Sequence, residues 1–244
     1  MKLVTVAGPP STGKTSLLLH VVRVLQERGY KAGVVKLDCV ASTDDRRYEA
    51  KGIPVLLGLA GNLCPDHFFV TNIEDCLQWG RSLELDLLIS ESAGLCNRCS
   101  PFIRGSVGIC VIDNLSGMNT PAKMGPLLKQ ADAVAITKGD IVSQAEREVF
   151  AYRVRQVNSR AEVMQVNGLT GQGTERLARL FEQGDEVESL HGRRLRFSMP
   201  AAVCSYCLGE TRIGGDYQMG NVKHIAIPGP PRSGKEDGAN DRND

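Results

Sequence analysis

The sequence predicts an α/β fold in which a mostly parallel sheet is covered by helices on both faces. Nearly continuous apolar runs alternate with helical stretches through most of the 244 residues. Strands that are apolar on both sides are typical of parallel sheets buried between helical layers. A glycine-rich loop also joins the first apolar run to the first helical stretch. Ligands of open α/β sheets bind outside the carboxyl ends of the strands, so a site is expected at that edge.

Each element is predicted from the period and length of its apolar pattern. Seven strands are expected, at Leu3–Ala7, Ala32–Leu37, Phe68–Val70, Leu85–Ile89, Val107–Asp113, Ala133–Thr137 and Val163–Val166. Six helices are expected, at Thr15–Arg28, Thr43–Lys51, Ile73–Ser82, Pro121–Lys129, Ser143–Asn158 and Gly173–Glu182. Together these elements predict one α/β domain over residues 1–184.

Beyond residue 184 the pattern changes. Short strand-like pieces surround Cys204 and Cys207, which predicts a small cysteine-containing C-terminal appendage over residues 185–227. Residues 228–244 consist of glycine, proline and charged residues without apolar periodicity, and they are predicted to form a disordered tail.

Composition narrows the possible partners and compartments. The formal net charge of +1 provides no electrostatic attraction for nucleic acid or an anionic membrane. No apolar run approaches the length of a membrane span, so we do not expect membrane insertion. We expect a cytoplasmic location. Because cytosolic thiols stay reduced, the eight cysteines are expected to be buried residues or metal and redox ligands rather than disulfides.

Residues Gly8–Thr15 match the phosphate-binding loop pattern G-x-x-x-x-G-K-[ST] in full. Backbone N–H groups of such a loop, and of the helix that follows it, cradle phosphates. The Lys14 ammonium is expected to reach the terminal phosphates and act in catalysis, and the Thr15 hydroxyl to hold Mg²⁺. The predicted phosphate-binding residues are Gly8, Pro9, Pro10, Ser11, Thr12, Gly13, Lys14, Thr15 and Ser16.

A second motif follows the sixth predicted strand. Residues 131–141 resemble the guanine-recognition element of GTPases, normally Asn-Lys-x-Asp, with Thr137 in place of the Asn. Asp140 is expected to accept hydrogen bonds from donors that guanine has and adenine lacks, while the Lys138 stem covers the base. The loop at residues 166–173 resembles the last GTPase loop, whose backbone N–H groups contact the guanine oxygen. The expected GTP contacts are therefore Thr137, Lys138 and Asp140, and Asn167, Gly168 and Leu169.

A third motif, Glu-Ser-x-Gly at residues 91–94, ends the strand where most GTPases carry Asp-x-x-Gly. It resembles the metallochaperone-type SIMIBI GTPases, and the resemblance covers roughly residues 1–184. The most similar members insert nickel into urease and hydrogenase or are associated with cobalamin synthesis. The resemblance implies that Glu91 lies near Mg²⁺ and the attacking water, that Asp38 approaches Mg²⁺ through its water shell, and that Gly94 senses the γ-phosphate. Carboxylates beside a triphosphate need a divalent cation in any case.

Three cysteine-containing segments are candidates for a transition metal or cluster site. Cys64 and His67 resemble the Cys-Pro-His of the urease-system GTPase, which binds metal at its dimer interface, although Asp66 is inserted here. Cys96 and Cys99 follow Gly94 as a C-x-x-C pair, a spacing that suits a thiolate metal site or a redox pair. A second pair, Cys204 and Cys207, completes a Cys₄ site only if the appendage folds back over the switch segment. Zn²⁺, Ni²⁺ and an iron–sulfur cluster all remain open.

The leading hypothesis is a slow GTPase that serves as a metallochaperone or as a regulator of metallocentre assembly. Its expected cofactors are GTP and Mg²⁺, and its expected partners are an apo-metalloenzyme or that enzyme's accessory proteins. A nucleotide-dependent homodimer is expected from the resemblance. Two alternatives remain. Thr137 leaves room for an ATP-dependent P-loop ATPase or kinase of metal-cluster maturation, and a nucleotide-binding scaffold with structural zinc fits the same motifs.

Overall fold

The computed structural model describes residues 1–94, 99–196 and 210–228. Seven strands in these ranges form one sheet in the order β3-β2-β4-β1-β5-β6-β7, and each pair of neighbours is parallel. The predicted fold class is confirmed. The strands are β1 (Lys2–Ala7), β2 (Ala32–Asp38), β3 (Val55–Leu59), β4 (Leu87–Ser92), β5 (Val107–Asp113), β6 (Ala133–Thr137) and β7 (Glu162–Gln165).

Helices cover both faces of this sheet. One apolar core lies between the sheet and a layer containing α1, α2 and α7. Two further cores lie on the opposite face, beneath α3 and beneath α4 to α6. The helices are α1 (Lys14–Glu27), α2 (Asp44–Glu49), α3 (Pro65–Ser82), α4 (Thr120–Lys123), α5 (Pro126–Lys129), α6 (Gln144–Val157) and α7 (Thr174–Glu182). None of the helices in the described ranges is long and apolar enough to cross a membrane.

Two predicted elements are wrong. The strand expected at Phe68–Val70 is part of α3, and the strand in question is β3, at Val55–Leu59. The run at Phe68–Val70 is apolar because α3 buries these positions against the sheet, and a short apolar run does not distinguish a buried helix from a strand. The single helix expected at Pro121–Lys129 is divided into α4 and α5. Gly125, with φ 54°, and the proline after it interrupt the helix.

The described residues beyond 184 pack against the α3 face of the sheet. Val187, Leu190, Leu195 and Ile213 are buried in the same apolar core as α3. Isolated antiparallel bridges join Lys2 to Glu186, Ile103 to Leu195 and Arg194 to Arg212. This segment is therefore anchored both to the first residue of β1 and to the residues that precede β5.

Candidate nucleotide-binding site

The glycine-rich loop connects the end of β1 to the start of α1. Gly8 lies so close to β5 that a Cβ at this position would be 2.1 Å from the Val111 carbonyl oxygen. Gly13 has φ +84°, a left-handed conformation that side chains disfavour, and α1 begins at the next residue. These two glycines let the backbone fold tightly around the amino end of α1, where N–H groups without helical partners suit an anion.

Lys14 lies beneath this loop. Its Nζ donates hydrogen bonds to the Gly8 carbonyl at 2.9 Å and to the Pro9 carbonyl at 2.8 Å. Burial lowers the pKa of Lys14 to about 8, an effect that Glu91 partly offsets. Its hydrogen-bond partners among the described residues are neutral carbonyls, and a buried ammonium gains from an added anion, so this lysine is suited to binding phosphate.

Oxygen ligands for a divalent cation converge beside the loop. The Thr15 hydroxyl lies 2.8 Å from Glu91 Oε1 and 3.0 Å from Asp44 Oδ2. Glu91 is fully buried, and the Tyr48 hydroxyl donates to its Oε2 at 2.7 Å. A hydroxyl and one or two carboxylates beside a phosphate site are the donors that Mg²⁺ prefers. Thr15, Glu91 and Asp44 therefore fit a magnesium site.

Asp38, the second predicted magnesium carboxylate, lines the same cavity of about 390 Å³. Its Oδ1 accepts the backbone N–H of Cys39 at 2.8 Å, and its Oδ2 lies 3.8 Å from Lys36 Nζ. In contrast with Glu91 and Asp44, it makes no hydrogen bond to Thr15 among the described contacts. A longer approach to the cation, through water, fits this position.

Lys36 projects from β2 into the middle of these carboxylates. Its Nζ lies 2.8 Å from Glu91 Oε1 and 3.0 Å from Asp44 Oδ2, and its side chain is 5% exposed. Burial alone would lower the pKa of Lys36, but Glu91 and Asp44 together hold it above its ordinary value. In turn, Lys36 lowers the pKa of Asp44 although burial opposes this shift.

The base-recognition elements lie at the ends of β6 and β7. The Thr137 hydroxyl donates to the Thr12 carbonyl at 2.6 Å, which ties β6 to the phosphate-binding loop. Asp140 is exposed on a 3₁₀ turn at Gly139–Ile141. A cavity of about 340 Å³ separates the two loops. It is lined by Thr12, Gly13, Ser16, Thr137, Lys138, Asp140, Ile141, Asn167, Gly168 and Leu169.

The Asn167 side chain shapes the second wall of this cavity. Its Oδ1 accepts the backbone N–H groups of Leu169 at 2.8 Å and Thr170 at 3.1 Å. Leu169 lines the cavity and is 80% exposed, so it adds apolar surface at the cavity's rim. The arrangement offers an apolar surface and a carboxylate to a flat, polar ring.

Gly94 connects the end of β4 to the phosphate-binding loop. It has φ +53°, and a Cβ at this position would lie 2.7 Å from the Gly8 nitrogen and 2.8 Å from the Gly8 oxygen. Only glycine fits such an approach. Residues 95–98 come next in the chain and lie outside the described residues.

Comparison with known proteins agrees with this geometry. The CobW/HypB/UreG nucleotide-binding domain family matches residues 2–165. The chain belongs to this family. The predicted resemblance to metallochaperone-type SIMIBI P-loop GTPases is therefore confirmed at the level of the family.

Two sequence relatives span most of their own length in the match. The chain is 48% identical to uncharacterized protein MJ0120 of Methanocaldococcus jannaschii over 225 residues, which cover 92% of this chain and 96% of the relative. It is 30% identical to the urease accessory protein UreG of Yersinia pestis over 188 residues, which cover 70% of this chain and 84% of UreG.

Solved structures of the hydrogenase maturation factor HypB share the fold. HypB from Archaeoglobus fulgidus superposes with a TM-score of 0.60 at 20% identity, covering 75% of this chain and 89% of HypB. HypB from Helicobacter pylori in complex with nickel also gives 0.60, at 19% identity, covering 78% and 91%. At these identities the likeness concerns the fold alone.

The first predicted metal segment of this CobW/HypB/UreG-family chain lies at the amino end of α3. Cys64 precedes the helix, and His67 is buried in its first turn together with Asp66. Burial lowers the pKa of His67, an effect that the Asn221 backbone partly opposes, and burial raises the pKa of Asp66 to about 7. Within the described ranges, no group of three or more His, Cys, Asp or Glu side chains is placed to hold a metal ion.

The other predicted cysteine ligands are mostly outside the described residues. Cys99 is described and buried against the α3 core, whereas Cys96, Cys204 and Cys207 lie in the gaps. Cys76 and Cys110 are fully buried in the cores, and burial raises the pKa of each thiol to about 12. These two are packing residues.

We call Thr15, Glu91 and the polar side chains around them the candidate magnesium cluster. Four of its residues were not predicted as site residues: Lys36, Asp44, Arg47 and Tyr48. Lys36 carried a signal, because it is a charged residue within an otherwise apolar run. Arg47 donates to the Ser16 hydroxyl at 2.9 Å, although nothing in the sequence marks it as a partner of the phosphate-binding loop. Its position depends on how α2 packs, which no local pattern specifies.

Proposed function

We propose that the protein binds and hydrolyses Mg²⁺·GTP and acts as a metallochaperone or regulator of metallocentre assembly, with nucleotide state coupled to a cysteine metal site. Its membership in the CobW/HypB/UreG family supports the nucleotide chemistry. The names of its relatives, a urease accessory protein and a nickel-bound hydrogenase maturation factor, support the role in metal delivery. An apo-metalloenzyme or its accessory proteins would be the partner, and a nucleotide-dependent homodimer the working form.

The reaction would be transfer of the terminal phosphoryl group to water. Bound Mg²⁺ supplies neutralisation of the phosphate charge, and Thr15, Glu91 and Asp38 would hold it directly or through water. Lys14 would bind the terminal phosphates. Tyr48 fixes one oxygen of Glu91, so the other is directed toward Thr15 at 2.8 Å. Catalysis in this class rests on positioning and on charge, and no covalent intermediate is needed.

Guanine specificity is proposed to rest on Asp140. Its carboxylate is exposed beside the base cavity and would accept both guanine donors. Thr137 replaces the usual Asn, but its hydroxyl bonds to the phosphate-binding loop, so this replacement has a structural role that requires no change of base.

The observation that supports coupling is an antiparallel backbone pairing between the segment after Gly94 and the C-terminal segment. The Arg104 N–H donates to the Arg194 carbonyl at 3.0 Å, and the Arg196 N–H donates to the Phe102 carbonyl at 2.8 Å. On the other side, the Leu195 N–H donates to the Thr211 carbonyl at 3.0 Å. Residues 194–196 thus lie between residues 102–104 on one side and residues 211–212 on the other.

In the sequence, Cys96 and Cys99 follow Gly94 directly. Because Gly94 approaches the phosphate-binding loop, a change at the γ-phosphate would act first on the segment that carries these two cysteines. Cys204 and Cys207 would join them only if the C-terminal segment brings them there, and of these four cysteines Cys99 alone lies among the described residues.

Nucleotide competition tests the guanine part of this proposal. Asp140→Ala should reduce the preference for GTP over ATP about ten- to a hundredfold, because a hydrogen bond to a charged acceptor contributes about 1.5–3 kcal/mol. Its exposed position predicts no loss of stability, and exposed Asp185→Ala serves as a control. A wild-type protein that prefers ATP would favour the ATPase or kinase alternative. Stoichiometric zinc that nucleotide leaves undisturbed would favour the scaffold.

A further inference from the structure

We propose that Lys36 is an internal cation that competes with Mg²⁺ for the carboxylates of Glu91 and Asp44 and thereby sets the magnesium affinity of the site. The inference rests on the proposed Mg²⁺·nucleotide site, but neither on guanine specificity nor on the cysteine metal site. It assigns to Lys36 a positioning and regulatory role rather than a catalytic one.

The positions of the oxygens carry this inference. Glu91 Oε1 and Asp44 Oδ2 are the two carboxylate oxygens within hydrogen-bond distance of the Thr15 hydroxyl, at 2.8 and 3.0 Å. The same two oxygens contact Lys36 Nζ, also at 2.8 and 3.0 Å. A Mg²⁺ ion that Thr15 and these two oxygens hold directly would lie about 2.0–2.1 Å from each of them. The ammonium and the ion therefore need the same space.

The backbone fixes the lysine in this place. The sheet register pairs Lys36 of β2 directly with Glu91 of β4, so the two side chains leave adjacent strands on the same face. The lysine side chain is 5% exposed and cannot turn to solvent without leaving the carboxylates. Removing one member of a buried ion pair leaves the other charge without compensation. Lys36 thus balances Glu91 where Mg²⁺ would otherwise be required.

Competition of this kind links magnesium to α2. Asp44 is the first residue of that helix, and Arg47 and Tyr48 connect the same helix to Ser16 and Glu91. A cation that replaces Lys36 at Asp44 alters the charge balance at the point where α2 begins.

Titration of nucleotide-free protein with Mn²⁺, followed by electron paramagnetic resonance, tests the inference with the metal alone. Mn²⁺ takes the same oxygen ligands as Mg²⁺. Lys36→Met should bind Mn²⁺ at least about tenfold more tightly than the wild type, because a competing charge is removed. Lys36→Arg keeps the charge and should remain a weak binder. Lys51→Met removes an exposed lysine just beyond α2 and should match the wild type.

Thermal unfolding of the same variants supplies a second readout. Lys36→Met should unfold at a lower temperature than the wild type without metal, and added Mg²⁺ should stabilise it more than it stabilises the wild type. A variant that folds only with Mg²⁺ supports the proposal, since the ion then replaces the missing charge. Equal or weaker Mn²⁺ affinity in Lys36→Met, or failure to fold at saturating Mg²⁺, would overturn it. Neither assay contains nucleotide, so neither result depends on the GTPase assignment, which nucleotide competition and phosphate release test separately.

Discussion

Glu91 at the end of β4 and Asp66 in the first turn of α3 are both almost completely buried, at 0% and 2% exposure. Glu91 is surrounded by donors from three elements: Thr15, Lys36 and Tyr48. Asp66 Oδ1, in contrast, has no hydrogen-bond partner of normal geometry among the described residues, and burial raises the pKa of this carboxyl to about 7.

The difference shows what the two regions are built for. At the candidate magnesium cluster the fold brings the positive charge of Lys36 and the negative charges of Glu91 and Asp44 together before any ligand binds. Ion binding and phosphoryl transfer need such pre-organised charges. At the start of α3 the environment is apolar and favours the neutral forms of Asp66 and His67. Predicted metal ligands thus occupy two environments, one prepared for ions and one that disfavours charge.

Of the substitutions in the two regions, removal of Lys14 should have the largest effect on phosphoryl transfer. Lys14→Ala should lower phosphate release from GTP by about 10²–10³-fold, the loss typical of a pre-organised group aimed at developing charge. The melting temperature should change little, because burial of this ammonium is unfavourable in itself. Exposed Lys31→Ala is the matched control. Unchanged phosphate release in Lys14→Ala would mean that the loop is not catalytic.

The pH dependence of stability tests the apolar environment of Asp66. The folded protein retains this proton from the ordinary pKa of 3.8 up to about 7, where the unfolded chain has lost it. The unfolded state therefore binds fewer protons in this window, and the free energy of unfolding should fall as pH rises through it. The upper bound is about 4 kcal/mol for a shift of three pKa units.

Asp66→Asn should abolish that part of the pH dependence and leave the stability at pH 4 nearly unchanged. Urea unfolding of metal-stripped protein between pH 4 and pH 8 measures both. Exposed Asp75→Asn on the same helix is the control. A wild-type stability that stays level or rises between pH 4 and pH 7, together with an equal profile in Asp66→Asn, would show that Asp66 is not buried as described.

The sequence predicted the phosphate-binding side well because its signal is local. Gly8, Gly13 and Lys14 have fixed spacings that the backbone geometry demands, and in the structure they surround the amino end of α1. Lys36 and Asp44 come from separate elements that meet only when β2, β4 and α2 pack, so no spacing revealed them. Phe68–Val70 has the pattern of a strand because three consecutive apolar residues of α3 are buried, and a short apolar run does not distinguish a buried helix from a strand. Cysteine spacing identified pairs, but chain spacing does not determine which pairs meet.

The most direct test of the central claim is the metal affinity of the anaerobically purified protein in two nucleotide states. Elemental analysis and visible absorption identify the bound metal or cluster, and competition with a chelator gives its dissociation constant with GTPγS and with GDP. The account predicts bound metal and at least about a tenfold difference between the two states, within the usual range of coupling between sites. In Lys14→Ala the affinity difference between the two nucleotide states should vanish. The double variant Cys96→Ser/Cys99→Ser should contain no bound metal, whereas the control Cys39→Ser should retain it. Equal affinity in both states, or metal that survives loss of Cys96 and Cys99, would contradict it.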